Sequence, residues 1–129
     1  MRKSITPQSM KELAGRFAKI VYDHIGYEET LRIWVPYPEN PKCSDCYRMT
    51  KDGGLEIETR EDDVEEHVEY FNRETMTATF EDVLYEVLND PFHPLYDGLN
   101  NNINWLIAQY GLYYDQGHPW SIALYKNFD

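Results

Sequence analysis

Basic residues are scarce in this sequence: 12 Lys and Arg stand against 23 Asp and Glu, a formal net charge of −11. Phosphate backbones and anionic membranes are bound through Lys and Arg, so a chain with a pI near 4.7 is not expected to bind either directly. Cysteine is scarcer still, and two residues are too few for a disulfide scaffold of the secreted kind. Long apolar runs are missing as well. None exceeds four residues, as in Trp105-Leu106-Ile107-Ala108, where a membrane-spanning helix needs about 20. Arg2 and Lys3 could open a secretory signal, but Ser4, Thr6, Pro7, Gln8, Ser9 and Lys11 stand where its apolar stretch belongs. The expected compartment is the cytoplasm.

Aromatic residues are what the sequence has in abundance: 3 Trp, 11 Tyr and 5 Phe among 129 residues. Mean hydropathy is only −0.67, and low hydropathy with high net charge is a mark of disorder. Disordered chains are poor in aromatics, however, so the balance favours a folded domain. The length suits one domain over residues 1–129.

Local patterns give the fold class. Thr6-Pro7 is a helix start, with Met10, Leu13, Phe17, Ile20, Val21 and Ile25 on one stripe and Gly26 as the stop. Residues 30–35 alternate and read as a strand, which Pro36, Pro38 and Pro41 should end in a stiff loop carrying Cys43 and Cys46. Residues 46–50 and 55–59 flank Lys51-Asp52-Gly53-Gly54, a hairpin signal. Residues 60–72 fit a helix slightly better than a strand; the alternative is a strand near 67–71 turning into 76–79. Thr79 with Asp82 predicts a capped helix bearing Phe80, Val83, Leu84, Val87 and Leu88 and ending at Asp90-Pro91. Residues 90–100 read as loop, and Asn100, Asn101 and Asn102 as the start of a helix closed by Gly111. A terminal hairpin joins 112–114 to 120–125. The sum is an α+β domain: three or four helices, the first at the N-terminus, on a mostly antiparallel sheet.

Chemistry has few footholds. Cys43-Ser44-Asp45-Cys46 could chelate zinc or cycle as a redox pair, but no second CxxC supplies the remaining metal ligands. The bland reading is two ordinary cysteines in a proline-rich loop. His24, His67, His93 and His118 offer acid–base groups, with His93 and His118 each preceding a proline. The cluster Trp105, Tyr110, Tyr113, Tyr114, Trp120, Tyr125 and Phe128 is expected to be mostly core. Tyr113 and Tyr114 cannot both face inward on one strand, so one belongs at the surface.

The acid is concentrated. Residues 56–90 hold thirteen acids against Arg60 and Arg73, a local net charge of −11, while the rest of the chain is neutral. Residues 1–21 are slightly basic, a counterpart in cis or across a homo-oligomer. Acidic faces are often merely solvated. Self-repulsion on this scale nevertheless favours a basic protein partner, reached by an electrostatically steered encounter. The partner-binding candidates are Glu61, Asp62, Asp63, Glu65, Glu66, Glu69, Glu81, Asp82 and Glu86. The expected function is therefore that of a non-catalytic acidic binding module or inhibitor. Its partner would be a nucleic-acid-handling protein, in the manner of a DNA mimic or of immunity-type proteins of mobile elements. The alternatives are a small zinc or redox domain built on Cys43 and Cys46, and a small-molecule enzyme with a loop histidine.

Overall fold

In the computed structural model, residues 6–37, 39–61, 74–118 and 120–126 are described. Helix α1 (Pro7–Ile25) begins as its sequence predicts. The Thr6 hydroxyl accepts the Ser9 N–H at 3.0 Å, and the Ser9 hydroxyl accepts the Thr6 N–H at 2.8 Å, a reciprocal capping box. Gly26 ends the helix at φ 81°, where a side chain would be strained.

The chain then builds a hairpin from β1 (Arg32–Tyr37) and β2 (Asn40–Met49), followed by β3 (Leu55–Arg60) and β4 (Thr77–Thr79). Helices α2 (Val83–Leu88) and α3 (Tyr96–Ala108) precede a last hairpin of β5 (Leu112–His118) and β6 (Ser121–Lys126). The six strands form one antiparallel sheet in the order β3-β2-β1-β4-β6-β5. The fold is α+β, with the helix at the N-terminus and the hairpin at the C-terminus as expected. No helix among the described residues is long and apolar enough to cross a membrane.

Register assigns every strand side chain to a face, since residues directly opposite share one. The row Ile57, Tyr47, Ile33, Ala78 and Ile122 faces the helices, as do Val35, Met49 and Leu124. Against them pack Leu13, Phe17 and Val21 of α1 and Leu99, Ile103, Leu106 and Ile107 of α3, in one continuous core. The next row, Glu58, Cys46, Trp34, Thr77, Ala123 and Asp115, lies on the second face. Arg32, Arg48 and Arg60 share that face, and the Arg60 guanidinium stands 5.9 Å over the Trp34 ring.

Several local expectations are corrected. The prolines do not make a loop: β1 runs through Pro36, and β2 contains Pro41, Cys43 and Cys46. β4 reaches only as far as Thr77, opposite Trp34, so beyond that point Pro36 faces no β4 ladder that needs its missing N–H. The register also breaks between Pro36 and Tyr37. Helix α3 starts at Tyr96, not at the asparagines. The His93 Nδ1 accepts the Leu95 N–H at 3.0 Å and the His93 carbonyl accepts the Tyr96 N–H at 3.0 Å, which tightens the chain into helix early. His118 lies in β5, opposite Ser121, rather than in a loop. The readings of residues 62–73, including His67, lie outside the described residues.

Phe128 lies outside the described residues, and the other six aromatics of the cluster are mostly not core. Tyr110 is buried, Tyr114 and Tyr125 are half-buried, and Trp105, Tyr113 and Trp120 are exposed. Trp105 stands on the solvent side of α3 because Leu106 and Ile107 take the inward positions. Of the tyrosine pair, Tyr113 is the surface residue, stacked at 5.8 Å on Tyr125.

Candidate functional site at the acidic corner around α2

Helix α2 is one and a half turns long and cannot hold itself together by its own hydrogen bonds. Its sequence suggests Thr79 as the cap, but Thr79 ends β4, where its hydroxyl accepts the Trp34 indole N–H at 3.3 Å. Asp82 is the N-cap residue and makes no side-chain cap bond. The cap comes instead from residues 28–30, more than fifty positions earlier in the chain.

Glu28 is only 2 % exposed. Its Oε2 accepts the Leu84 N–H at 2.8 Å, and its Oε1 accepts the Thr30 hydroxyl at 2.9 Å and the Thr30 N–H at 3.3 Å. The Thr30 oxygen in turn accepts the Glu81 N–H at 2.8 Å and the Asp82 N–H at 3.2 Å. Two orphan amides at the start of α2, those of Asp82 and Leu84, and the Glu81 N–H just before them are thereby satisfied from outside the helix. The buried carboxylate also lies where the helix dipole favours negative charge.

This relay walls a cleft of about 380 Å³, lined by Glu29, Thr30, Arg32, Thr79, Phe80, Glu81 and Trp120. The Phe80 N–H donates to the Trp120 carbonyl at 2.8 Å, which ties the β5–β6 turn to the cleft edge. Trp120 is 45 % exposed. Arg32 uses Nη1 to donate to the carbonyls of Glu29 at 2.6 Å and Leu31 at 3.0 Å.

Of the acidic candidates, Glu81, Asp82 and Glu86 gather at this corner, all exposed. Glu29 joins them from the α1–β1 connection. None of the four forms an ion pair among the described residues. Glu61 is exposed but lies elsewhere. It follows β3 at the opposite end of the sheet, three strands and about seven residue levels away, roughly 25 Å by strand geometry. Asp62, Asp63, Glu65, Glu66 and Glu69 lie outside the described residues.

Two cations of the basic first helix are used locally. Lys19 pairs with Asp23 at 3.4 Å, and Arg16 pairs with Glu12 at 3.9 Å. Arg16 also donates to the Tyr110 hydroxyl at 3.1 Å and to Gln109 Oε1 at 3.2 Å, joining α1 to α3.

The two cysteines do not converge. Cys43 stands beside Asn40, whose Nδ2 donates to its sulfur at 3.2 Å, and near Tyr37. Cys46 is buried on the other face of β2, opposite Trp34 and Glu58. Burial pushes its thiol up to about 11. Both are free thiols, and among the described residues no three His, Cys, Asp or Glu groups are placed to hold a metal ion. Two histidines make local contacts: the His93 Nδ1 closes its turn, and the His24 Nε2 meets Asn102 Nδ2 at 2.8 Å. His93 does not line the cleft.

Glu28, Glu29, Arg32 and Trp120 were not legible as site residues. Only the adjacent pair Glu28-Glu29 after a helix stop carried a signal, and nothing in the sequence separates the buried acid from the exposed one. Comparisons with protein-family models, with curated proteins and with solved structures find no match to this chain.

Proposed function

We propose that this protein is a non-catalytic binding module or inhibitor that engages a basic protein surface through its acid-rich face. The observation that carries the reading is the gathering of Glu29, Glu81, Asp82 and Glu86 around one corner, exposed and without cationic partners among the described residues. Asp82 at the N-cap and Glu86 in the first turn of α2 add two more like charges that repel Glu29 and Glu81. A corner kept in this state is matched to an external cation surface, which relieves the repulsion and steers the encounter. A protein that handles nucleic acid presents such a surface, built to meet phosphates.

The test is affinity capture from the source cell at low salt, followed by titration of the purified partner. Binding should weaken steeply as ionic strength rises, because the Debye length falls from ~10 Å at 0.1 M to ~3 Å at 1 M. Replacing Glu81, Asp82 and Glu86 by Lys should abolish binding while the chain still folds, with a modestly lower melting midpoint because cations at the start of α2 oppose its dipole. A second variant with Glu61, Asp62, Glu65 and Glu66 changed to Lys reports whether the other acids contribute. Binding that survives both variants and high salt would refute the proposal.

A further inference from the structure

The cleft beside α2 differs from a plain acidic surface in having an aromatic wall and a fixed shape. Glu29 and Glu81 contribute two carboxylates, Trp120 an exposed indole, and Thr30 and Thr79 two hydroxyl-bearing side chains. The single cation in the lining among the described residues, Arg32, already directs Nη1 to two backbone carbonyls. The buried carboxylate of Glu28 is bonded to Thr30 of the lining, and Asp82, whose N–H also bonds Thr30, follows Glu81 in the chain. The local field therefore selects a cation. Its volume of about 380 Å³ falls within the range of small-ligand pockets and holds one long side chain. A planar guanidinium stacks on an indole and forks to carboxylates, whereas an ammonium offers a point charge without a flat face.

We infer that this cleft is the socket for an arginine side chain projecting from the basic partner, an inference that rests on the binding function proposed above. Trp120 forms the stacking wall, Glu29 and Glu81 the paired acceptors, and Thr30 a positioning residue. Thr30 acts by holding the Glu81 and Asp82 amides, which fixes the backbone that carries the Glu81 side chain at the cleft.

The experiment is an NMR titration of the full chain with N-acetyl-arginine amide, following the three indole N–H signals assigned through Trp→Phe variants. The Trp120 signal should shift saturably and the Trp105 signal should stay in place. Glu29→Gln and Glu81→Gln should each weaken binding by roughly fivefold, the loss expected when one charge-assisted contact becomes neutral. These side chains are exposed, so both variants keep the fold. N-acetyl-lysine amide should bind more weakly, and free phenylalanine, a zwitterion without a side-chain cation, should leave Trp120 unmoved. An unmoved Trp120 with the arginine probe, an equal response to lysine or phenylalanine, or an unchanged affinity in both Gln variants each overturns the socket. Oligolysine, measured in parallel by calorimetry at low salt, separates the two ideas. If it binds and loses affinity on Asp82→Lys and Glu86→Lys while the arginine probe leaves Trp120 silent, the socket fails and the binding surface stands. If the arginine probe moves Trp120 but oligolysine does not bind, the socket stands and the wider surface fails.

Discussion

Removing the Glu28 carboxylate should destabilise the whole chain through a helix it does not belong to. In Glu28→Ala, the Leu84 N–H loses its acceptor at 2.8 Å, and the Thr30 hydroxyl and N–H lose theirs. A lost helix cap costs about 1 kcal/mol and a buried donor left without a partner costs about 1–3 kcal/mol. The sum is roughly 2–4 kcal/mol. For a chain of 129 residues each kcal/mol lowers the melting temperature by roughly 3–5 °C, so a fall on the order of 6–20 °C is expected. Glu28→Gln keeps one carbonyl oxygen but turns an amide N–H₂ toward a donor, and should fall by about half as much. The assay is thermal unfolding followed by circular dichroism, with hydrogen exchange at Leu84 as the local report. Glu29→Ala, next in sequence and exposed, is the control and should shift the midpoint by less than ~2 °C. A midpoint for Glu28→Ala within ~2 °C of the parent, with the Leu84 amide still protected, would refute the capping relay.

Three further outcomes follow from the geometry. At pH 8 Cys43 should react with iodoacetamide well before Cys46, since a thiol at about 11 is thiolate in only ~0.1 % of native molecules; equal labelling rates would contradict the burial of Cys46. The Asp52 carboxyl is lowered first by the Thr50 hydroxyl and then by the Gly54 N–H. Its folded value lies below its unfolded one, so its contribution is present above about pH 4 and is lost as pH falls through the folded value. Protection of the Gly54 amide should therefore fall in acid, and Asp52→Asn should remove that pH dependence. On α3, Leu106→Ala should cost about 2–5 kcal/mol, whereas Trp105→Ala, 62 % exposed in the parent, should cost under ~0.5 kcal/mol. Chemical denaturation of both variants decides it, and a reversed order would place the wrong face of α3 inward.

Much of the architecture was legible because it is written in local chemistry. Thr6, Pro7 and Gly26 bound α1, and Asp52-Gly53-Gly54 with the alternation on either side set the β2–β3 turn. Misreadings came where a neighbour outside the segment decided. Pro36 reads as a strand breaker, but β4 ends before reaching it. The three asparagines read as a cap, but the His93 turn starts the helix earlier. Trp105 reads as core by size, but a helix face is assigned by its neighbours Leu106 and Ile107. Cys43 and Cys46 read as a pair by spacing, and the extended backbone of β2 sends them to opposite faces.

Charge shows the same division. That the −11 is carried by residues 56–90 is a property of the sequence alone, and so are the start of α1, the turn signals and the α+β class. Only the tertiary structure decided which acids stand together. Chain order puts Glu61 with the residues that follow it, whereas the sheet carries it roughly 25 Å from Glu81. It also brings Glu28 and Glu29 against α2 and sets Trp120 at the cleft edge. The physical reason is that periodicity and capping act over a few residues, while a buried carboxylate must take its hydrogen-bond donors from whatever backbone the fold delivers. For Glu28 that backbone lies fifty-six residues away.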